Sequence, residues 1–242
     1  MNIVVDAGNT FCKVGWFEGD TLVRSEHRVL FPDLPEVVRA SPGERLLISS
    51  VSHDVAEFRQ RLQPFDRIWN LGSETPVPIV KSYDTPATLG NDRLAAAVGA
   101  SGLFPNENLV VIDLGTCVTY DLVSAEGRFE GGLISPGLRM RFEAMHTFTR
   151  RLPLVEPETA PTFIGKSTRQ ALLSGVTHGM GAELKGIIST YRSLVPEVRV
   201  VVCGGDVPFF ENQLAAPVSV VPELVLIGLN RILNYNVALQ EK

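Results

Sequence analysis

Cysteine is scarce and scattered: Cys12, Cys117 and Cys203 are the only three in 242 residues. An odd count, wide spacing and no C-x-x-C pair exclude a disulfide framework and a thiolate zinc site. The expectation is three small thiols in or near the core. The four histidines, His27, His53, His146 and His178, share no metal-ligand spacing. Charge is modest as well. Lys and Arg number 22 against 27 Asp and Glu, a formal net charge of −5, so the broad basic surface of a nucleic-acid binder is excluded. A small phosphate ligand is not, because backbone amides and one lysine hold it locally. No apolar run reaches the roughly 18 residues of a membrane span. Met1-Asn2-Ile3-Val4-Val5-Asp6 shows no basic leader before its strand pattern. A reduced, cytoplasmic setting without membrane or nucleic-acid partners is expected.

What is present is apolar bulk. Hydrophobic residues make up 45% of the chain and charged residues 20%, enough for a sizeable core and incompatible with disorder or a coiled coil. The length fits one large domain or two small ones. Ile3-Val4-Val5 stops at Asp6, and Gly8-Asn9 supplies a turn. Lys13–Phe17 and Thr21–Val23 are β-like on either side of Glu18-Gly19-Asp20, a hairpin signal. Leu46–Val51 reads as a buried strand, followed by a helix capped by Ser52 or Asp54 and running to about Gln63. Arg67–Leu71 reads as a strand, 72–90 as a long irregular connection, and Asn91–Leu103 as a helix. The pattern then restarts: Leu109–Ile112 stops at Asp113, followed by Gly115. Val5-Asp6-Ala7-Gly8 aligns with Ile112-Asp113-Leu114-Gly115 at an offset of 107, and Glu18-Gly19 with Glu126-Gly127 at 108. This weak internal repeat predicts two related domains, 1–106 and 107–242. In the second half, Gly131–Gly137 reads as a Gly/Pro-rich loop, with Pro136 opening a helix capped by Ser135. Residues 153–165 read as a loop, Ser167–Leu194 as one long helix, Val198–Val202 as a strand and Glu223–Leu239 as the last helix. The alternation argues mixed α/β.

Four stretches could carry chemistry. In D-A-G-N-T-F-C-K at 6–13, a carboxylate ends a strand and a glycine turn follows. Gly8 lets the backbone approach oxyanions, Asn9 and Thr10 offer donors, Lys13 supplies a point charge, and Asp6 suits Mg²⁺, directly or through water. D-L-G-T-C-V-T-Y-D at 113–121 is a near copy. Two such acids brought together cost energy unless a cation lies between them, so the duplicated turn argues for a metal and a phosphate. Asp121 reads as a surface acid at a strand end. In Tyr83–Arg93, Asp92 and Arg93 open a helix. Asp92 there either favours the helix dipole, worth ~0.3–1 kcal/mol, or accepts a proton, and Arg93 suits a carboxylate; by spacing alone the dipole reading is preferred. Gly204-Gly205-Asp206 fits a flat ligand such as a purine as well as it fits a plain turn capped by Asp206.

Taken together and in this order, D-A-G-N-T-x-x-K at 6–13, G-N-D-R at 90–93, D-L-G-T-C-V-T-Y-D at 113–121, G-G-L-I-S-P-G at 131–137 and G-K-S-T at 165–168 resemble the type III pantothenate kinases over nearly the whole chain. The Asp-Gly turns and C-G-G-D at 203–206 are similar, more loosely, to the superfamily of acetate and sugar kinases, actin and Hsp70. The resemblance implies an α/β fold of two related ribonuclease H-like (actin-like ATPase) domains, each a mixed sheet flanked by helices, with a cleft between them. It implies ATP-dependent phosphorylation of pantothenate to 4'-phosphopantothenate, the first step of coenzyme A biosynthesis, by a homodimer using Mg²⁺ and a monovalent cation, K⁺ or NH₄⁺. By matched position, Asp6, Ala7, Gly8, Asn9, Thr10, Phe11, Cys12 and Lys13 would form the first phosphate loop, and Thr116 would contact ATP. Asp113 would bind the monovalent cation. Asp92 would be the general base, which reverses the preference for a dipole role. Tyr83, Gly90, Asn91, Asp92 and Arg93 would line the pantothenate site, with Thr168 contacting pantothenate, a contact that the family's interface substrate sites would let it make across the dimer. Cys117 and Asn91 stand where alanine or another small residue is commoner, and neither change removes a polar group the reaction needs. The alternatives are a non-enzymatic regulator and a kinase for another small hydroxylated substrate on the same fold.

Overall fold

The computed structural model describes residues 1–8, 11–39, 45–50, 60, 62, 67–214 and 217–241. Asn9, Thr10 and nearly all of the helix expected between Ser52 and Gln63 lie outside them. Among the described residues the strands are β1 (Asn2–Ala7), β2 (Cys12–Glu18), β3 (Thr21–Val29), β4 (Arg45–Ser50), β5 (Ile68–Asn70), β6 (Val80–Lys81), β7 (Leu109–Leu114), β8 (Cys117–Val123), β9 (Arg128–Pro136), β10 (Arg199–Cys203) and β11 (Ser219–Val220). The α-helices are α1 (Leu34–Arg39), α2 (Asn91–Leu103), α3 (Leu138–Thr147), α4 (Thr168–Leu194), α5 (Val207–Phe210) and α6 (Leu224–Gln240). The chain packs as two compact units, Met1–Asn106 with Ser124–Glu130 and Glu223–Lys242, and Glu107–Val123 with Gly131–Pro222.

The first unit holds a mixed sheet in the order β3-β2-β1-β4-β5. β1 runs antiparallel to β2 and parallel to β4. Ile3, Val4 and Val5 and their neighbours Leu46, Leu47 and Ile48 are all fully buried, so both strands read as unbroken apolar runs. Gly19 closes the β2–β3 hairpin at φ +58°, a left-handed conformation that costs glycine nothing. The sequence gives no clear signal for α1, whose Leu34 and Val38 join the cluster of Ile3, Val5, Trp16, Leu46 and Ile48.

The C-terminal helix belongs to this first unit because asparagines tie it there. Asn2 Nδ2 donates to Asn230 Oδ1 at 2.8 Å and to Asn234 Oδ1 at 2.7 Å, and Asn230 Nδ2 donates to the Gly19 carbonyl at 2.9 Å. These bonds satisfy a polar residue, Asn230, that is 1% exposed; left unpaired it would cost about 1–3 kcal/mol. α6 also crosses α2 closely. A Cβ on Gly228 would lie 1.8 Å from the Ala95 carbonyl oxygen, and one on Gly99 would lie 2.5 Å from that of Leu224. The small side chains of N-D-R-L-A-A-A-V-G-A-S-G-L are therefore what lets the two helices meet.

The second sheet runs β11-β10-β7-β8-β9-β6, with β7 antiparallel to β8 and parallel to β10. Its first five strands repeat the order β5-β4-β1-β2-β3, and the two pairings of β7 have the same sense as those of β1. The weak sequence repeat is thus a repeat of topology, and β1 and β7 share one burial pattern, exposed only in part at Asp6 and at Asp113. One face of this sheet packs on α3, α4 and α5 through Val110, Ile112, Tyr120, Leu138, Phe142, Met180, Leu184, Val200 and Phe210.

Two expectations are corrected here. Gly131–Gly137 is not a loop: β9 runs through Pro136, and Gly137, not Ser135, occupies the N-cap of α3. The glycines serve the strand, since a Cβ on Gly132 would fall 1.9 Å from the Tyr120 carbonyl oxygen on β8. Asp121 is not a surface acid. It lies inside β8 at 1% exposure, covered by that same close approach.

Gly228→Ala should lower stability by about 1–3 kcal/mol, as overpacking does. Gly186→Ala, on α4 where a Cβ meets nothing within 4 Å, should raise it by about 0.5–1 kcal/mol. Urea unfolding midpoints read both; equal shifts of the same sign would refute the packing argument.

Candidate functional site

In the first unit, strand register places Lys13 directly opposite Asp6, and Cys12 opposite Ala7. A carboxylate and an ammonium thus stand opposite each other one pair from the turn that joins β1 to β2. Gly8 begins the connection, where a Cβ would press to 3.2 Å from the Phe11 carbonyl oxygen; Phe11 carries the Arg28 guanidinium on its ring face at 5.0 Å. Cys12 is buried, and burial together with the nearby Asp6 charge pushes its thiol up to about 11. That keeps it a protonated core thiol.

The residues Tyr83–Arg93 form a second group in the same unit. β6 pairs in parallel with Arg128–Phe129, and the Ser82 amide donates to the Phe129 carbonyl at 3.0 Å, which fixes where Tyr83 stands. Tyr83 meets Phe129 edge-on at 5.8 Å, and the Arg93 guanidinium lies 5.8 Å from the Tyr83 ring and 5.7 Å from that of Phe129. Both distances are within cation–π range. Arg93 is buried at 6% exposure, with its head group against both rings. Asp92, by contrast, is exposed on the first turn of α2. Its Oδ1 accepts from the Arg93 amide at 2.8 Å and would sit 2.5 Å from a Cβ on Gly90. Glycine at 90 leaves the space that this carboxylate occupies. Asn91 Nδ2 donates to the Leu71 carbonyl at 3.0 Å. Phe129 escaped sequence reasoning, although its alternation with exposed Arg128 and Glu130 marks an inward strand position.

In the second unit, Asp113 pairs with Thr119 across the hairpin, and the Gly115 amide donates to the Cys117 carbonyl at 3.0 Å. Two other motifs converge on this turn. The Gly137 amide donates to the Thr116 carbonyl at 3.1 Å, and the Asp206 amide to that of Leu114 at 2.9 Å. Gly204 adopts φ +102°, and a Cβ on it would come within 2.4 Å of Asp113 Oδ1. The C-G-G-D turn therefore backs the D-L-G-T turn, and the Asp113 carboxylate lies in a cradle of backbone. Asp206 sits at the N-cap of α5 without a side-chain cap bond. Burial raises its carboxyl above the usual range, with the Arg139 charge opposing.

Thr168 is placed on the first turn of α4. There Ser167 Oγ accepts from the Gln170 amide at 3.2 Å while Gln170 Oε1 accepts from the Lys166 amide at 2.9 Å. The serine caps the helix as in an S-x-x-Q box, while the glutamine reaches the amide one residue before the N-cap. Gly165 is required beside it, since a Cβ would strike the Ala171 amide nitrogen at 2.4 Å.

The profile of the type III pantothenate kinase family matches residues 2–190. The chain belongs to the type III pantothenate kinase family. A curated type III pantothenate kinase of Cytophaga hutchinsonii is 44% identical over 98% of this chain and all of that protein. That of Phocaeicola vulgatus is 42% identical over 98% and 99%. Among solved structures, a conserved Baf family transcriptional activator from Campylobacter jejuni, described as putative, superposes with a TM-score of 0.64 at 20% identity, covering 98% of this chain and 99% of that one. An ADPNP-bound activator of the 2-hydroxyisocaproyl-CoA dehydratase from Clostridium difficile superposes at 0.56 with 13% identity, covering 100% and 97%. These two speak for the fold, the actin-like ATPase fold with two mixed sheets flanked by helices. This kinase family member has no helix long and apolar enough to cross a membrane among its described residues.

With its thiol held at about 11, roughly one Cys12 in a thousand is thiolate at pH 8. Iodoacetamide at pH 8 should therefore label half-buried Cys117 well before Cys12, as peptide mass mapping would show. Equal labelling rates in the folded protein would contradict the burial and the Asp6 influence.

Proposed function

We propose that this protein phosphorylates pantothenate with ATP to give 4'-phosphopantothenate, the first step of coenzyme A biosynthesis. The observation that carries the reading is the duplicated strand-end acid, Asp6 and Asp113, each followed by a glycine turn in a chain 44% identical to a curated type III pantothenate kinase. In this reading Asp6, Ala7, Gly8, Asn9, Thr10, Phe11, Cys12 and Lys13 form one phosphate loop, with Lys13 as its positive charge, and Thr116 contacts ATP. Tyr83, Gly90, Asn91, Asp92 and Arg93 line the pantothenate site, and Thr168 reaches the same substrate. The duplicated turns also support a domain boundary at 106/107.

The residues fit the cations that the family implies. Asp113 offers hard oxygen in a cradle that a Cβ at Gly204 would fill, which suits K⁺ or NH₄⁺. Asp6 beside Lys13 suits Mg²⁺ held with ATP, directly or through water. When bound, these ions neutralise phosphate charge. The chain's own residues do the rest. Arg93, clasped by Tyr83 and Phe129, is fixed to receive the pantothenate carboxylate as a charge-assisted pair. Asp92 orients the attacking hydroxyl and takes its proton late, because phosphoryl transfer depends on positioning and charge neutralisation more than on a strong base. Its exposure supports this role. A homodimer and a cytoplasmic setting complete the proposal. Apolar side chains at Ile134, Phe148, Phe163 and Ile164, each more than 60% exposed on the second unit, support self-association.

The test is ADP release with Mg²⁺, K⁺ and ATP, with and without pantothenate, for the wild type and Asp92→Asn. We expect pantothenate-dependent release in the wild type. In the variant, turnover should fall at least about 100-fold, the usual scale of a lost acid–base group, while ATP binding persists. No dependence on pantothenate would favour a regulator or a kinase for another small hydroxylated substrate; an active variant would remove Asp92 as base.

A further inference from the structure

The second unit holds a polar network between its helices and the end of β9. Glu183, on α4, accepts from the Tyr120 hydroxyl at 3.0 Å with Oε1 and from Arg141 Nη2 at 2.6 Å with Oε2. Arg141, on α3, also donates from Nε to the Pro136 carbonyl at 2.8 Å and from Nη2 to Ser135 Oγ at 3.1 Å. Tyr191 secures the far side, its hydroxyl donating to the Tyr120 carbonyl at 3.1 Å. The pair is half-buried, with side chains 21% and 25% exposed. Burial raises the Glu183 carboxyl, but the bonds from Arg141, Ser135 and Tyr120 outweigh it and hold the group ionised.

This network closes on the nucleotide turn. Arg141 grips the backbone at Ser135-Pro136, and the next residue, Gly137, donates its amide to the Thr116 carbonyl. A Cβ at 137 would lie 2.2 Å from the Gly115 carbonyl oxygen and 2.3 Å from that of Thr116, so any drift of the strand end displaces that turn directly. We propose that Glu183 and Arg141 are positioning residues that set the Gly115–Thr116 turn for ATP through Ser135-Pro136-Gly137. This rests on the reading that Thr116 contacts ATP. The role suits these residue types: the rigid guanidinium fork holds carbonyl, hydroxyl and carboxylate together in one fixed geometry.

The experiment uses Glu183→Gln, Arg141→Lys and Tyr120→Phe in the full chain. It measures KM for ATP, KM for pantothenate, kcat, affinity for a non-hydrolysable ATP analogue by calorimetry, and the thermal midpoint. Glu183→Gln and Arg141→Lys should raise KM for ATP and weaken the analogue by about 10-fold, the scale of a lost hydrogen bond to a charged group. KM for pantothenate should stay within twofold. Tyr120→Phe, which removes one hydroxyl and leaves the ion pair, should shift the same constants by less. A merely structural network would lower the thermal midpoint and the active fraction and leave both KM values unchanged. Wild type that binds the analogue, with Glu183→Gln and Arg141→Lys binding within twofold of it, overturns the positioning role alone. Wild type that does not bind the analogue overturns the nucleotide reading and this proposal with it. Should Arg141→Lys not fold, the isosteric Glu183→Gln decides.

Discussion

In each unit an acid stands fifth in a six-residue strand whose other positions are buried, and an antiparallel partner begins just beyond a glycine turn. The rest of the structure can be followed from that constraint. Each of these carboxylates stands one residue before its strand ends, where the turn opens. On one side each strand needs the hairpin partner that returns from the turn. On the other it needs a parallel neighbour, β4 or β10, to bury its second edge. The helices then cover the faces. Two copies of this device yield two sheets of one topology.

Glycine does much of the positioning. Gly204 and Gly137 bring separate turns against Asp113 and Thr116, Gly90 leaves room for the Asp92 carboxylate, and Gly99 with Gly228 lets α2 and α6 cross. In each place a methyl group would collide with a backbone or carboxylate oxygen. The candidate site is thus shaped by close backbone approach, and the charged side chains stand in the space that remains. On our proposal this is how a chain with net negative charge handles phosphate: through amides, one lysine and cations near its two acids.

Much of this was legible in the sequence. Both apolar runs ending at Asp6 and Asp113, the Glu-Gly hairpin turns, the helix over Asn91–Leu103 and the long helix after Ser167 are local signals, and local signals survive folding. The topological repeat was legible from only a few aligned residues because strand, acid and glycine recur at one spacing. What could not be read depends on distant partners. Gly131–Gly137 looks like a loop until β8 is beside it, since a strand that approaches another backbone closely also selects glycine. Asp121 looks exposed until the same approach buries it. Phe129 gains its place against Arg93 from a pairing between β6 and β9 separated by almost fifty residues, and Glu183 reaches Arg141 from another helix. No window along the chain contains either pair.

The central claim is that both duplicated acids serve one phosphoryl transfer to pantothenate. The most direct measurement is phosphorus NMR of reactions containing ATP, Mg²⁺, K⁺ and pantothenate, run with the wild type, Asp6→Asn and Asp113→Asn. The account predicts a new phosphomonoester signal matching authentic 4'-phosphopantothenate in the wild type, and loss of most of its rate in each variant at an unchanged thermal midpoint. Absence of that signal in the wild type, or a wild-type rate in either folded variant, would contradict it.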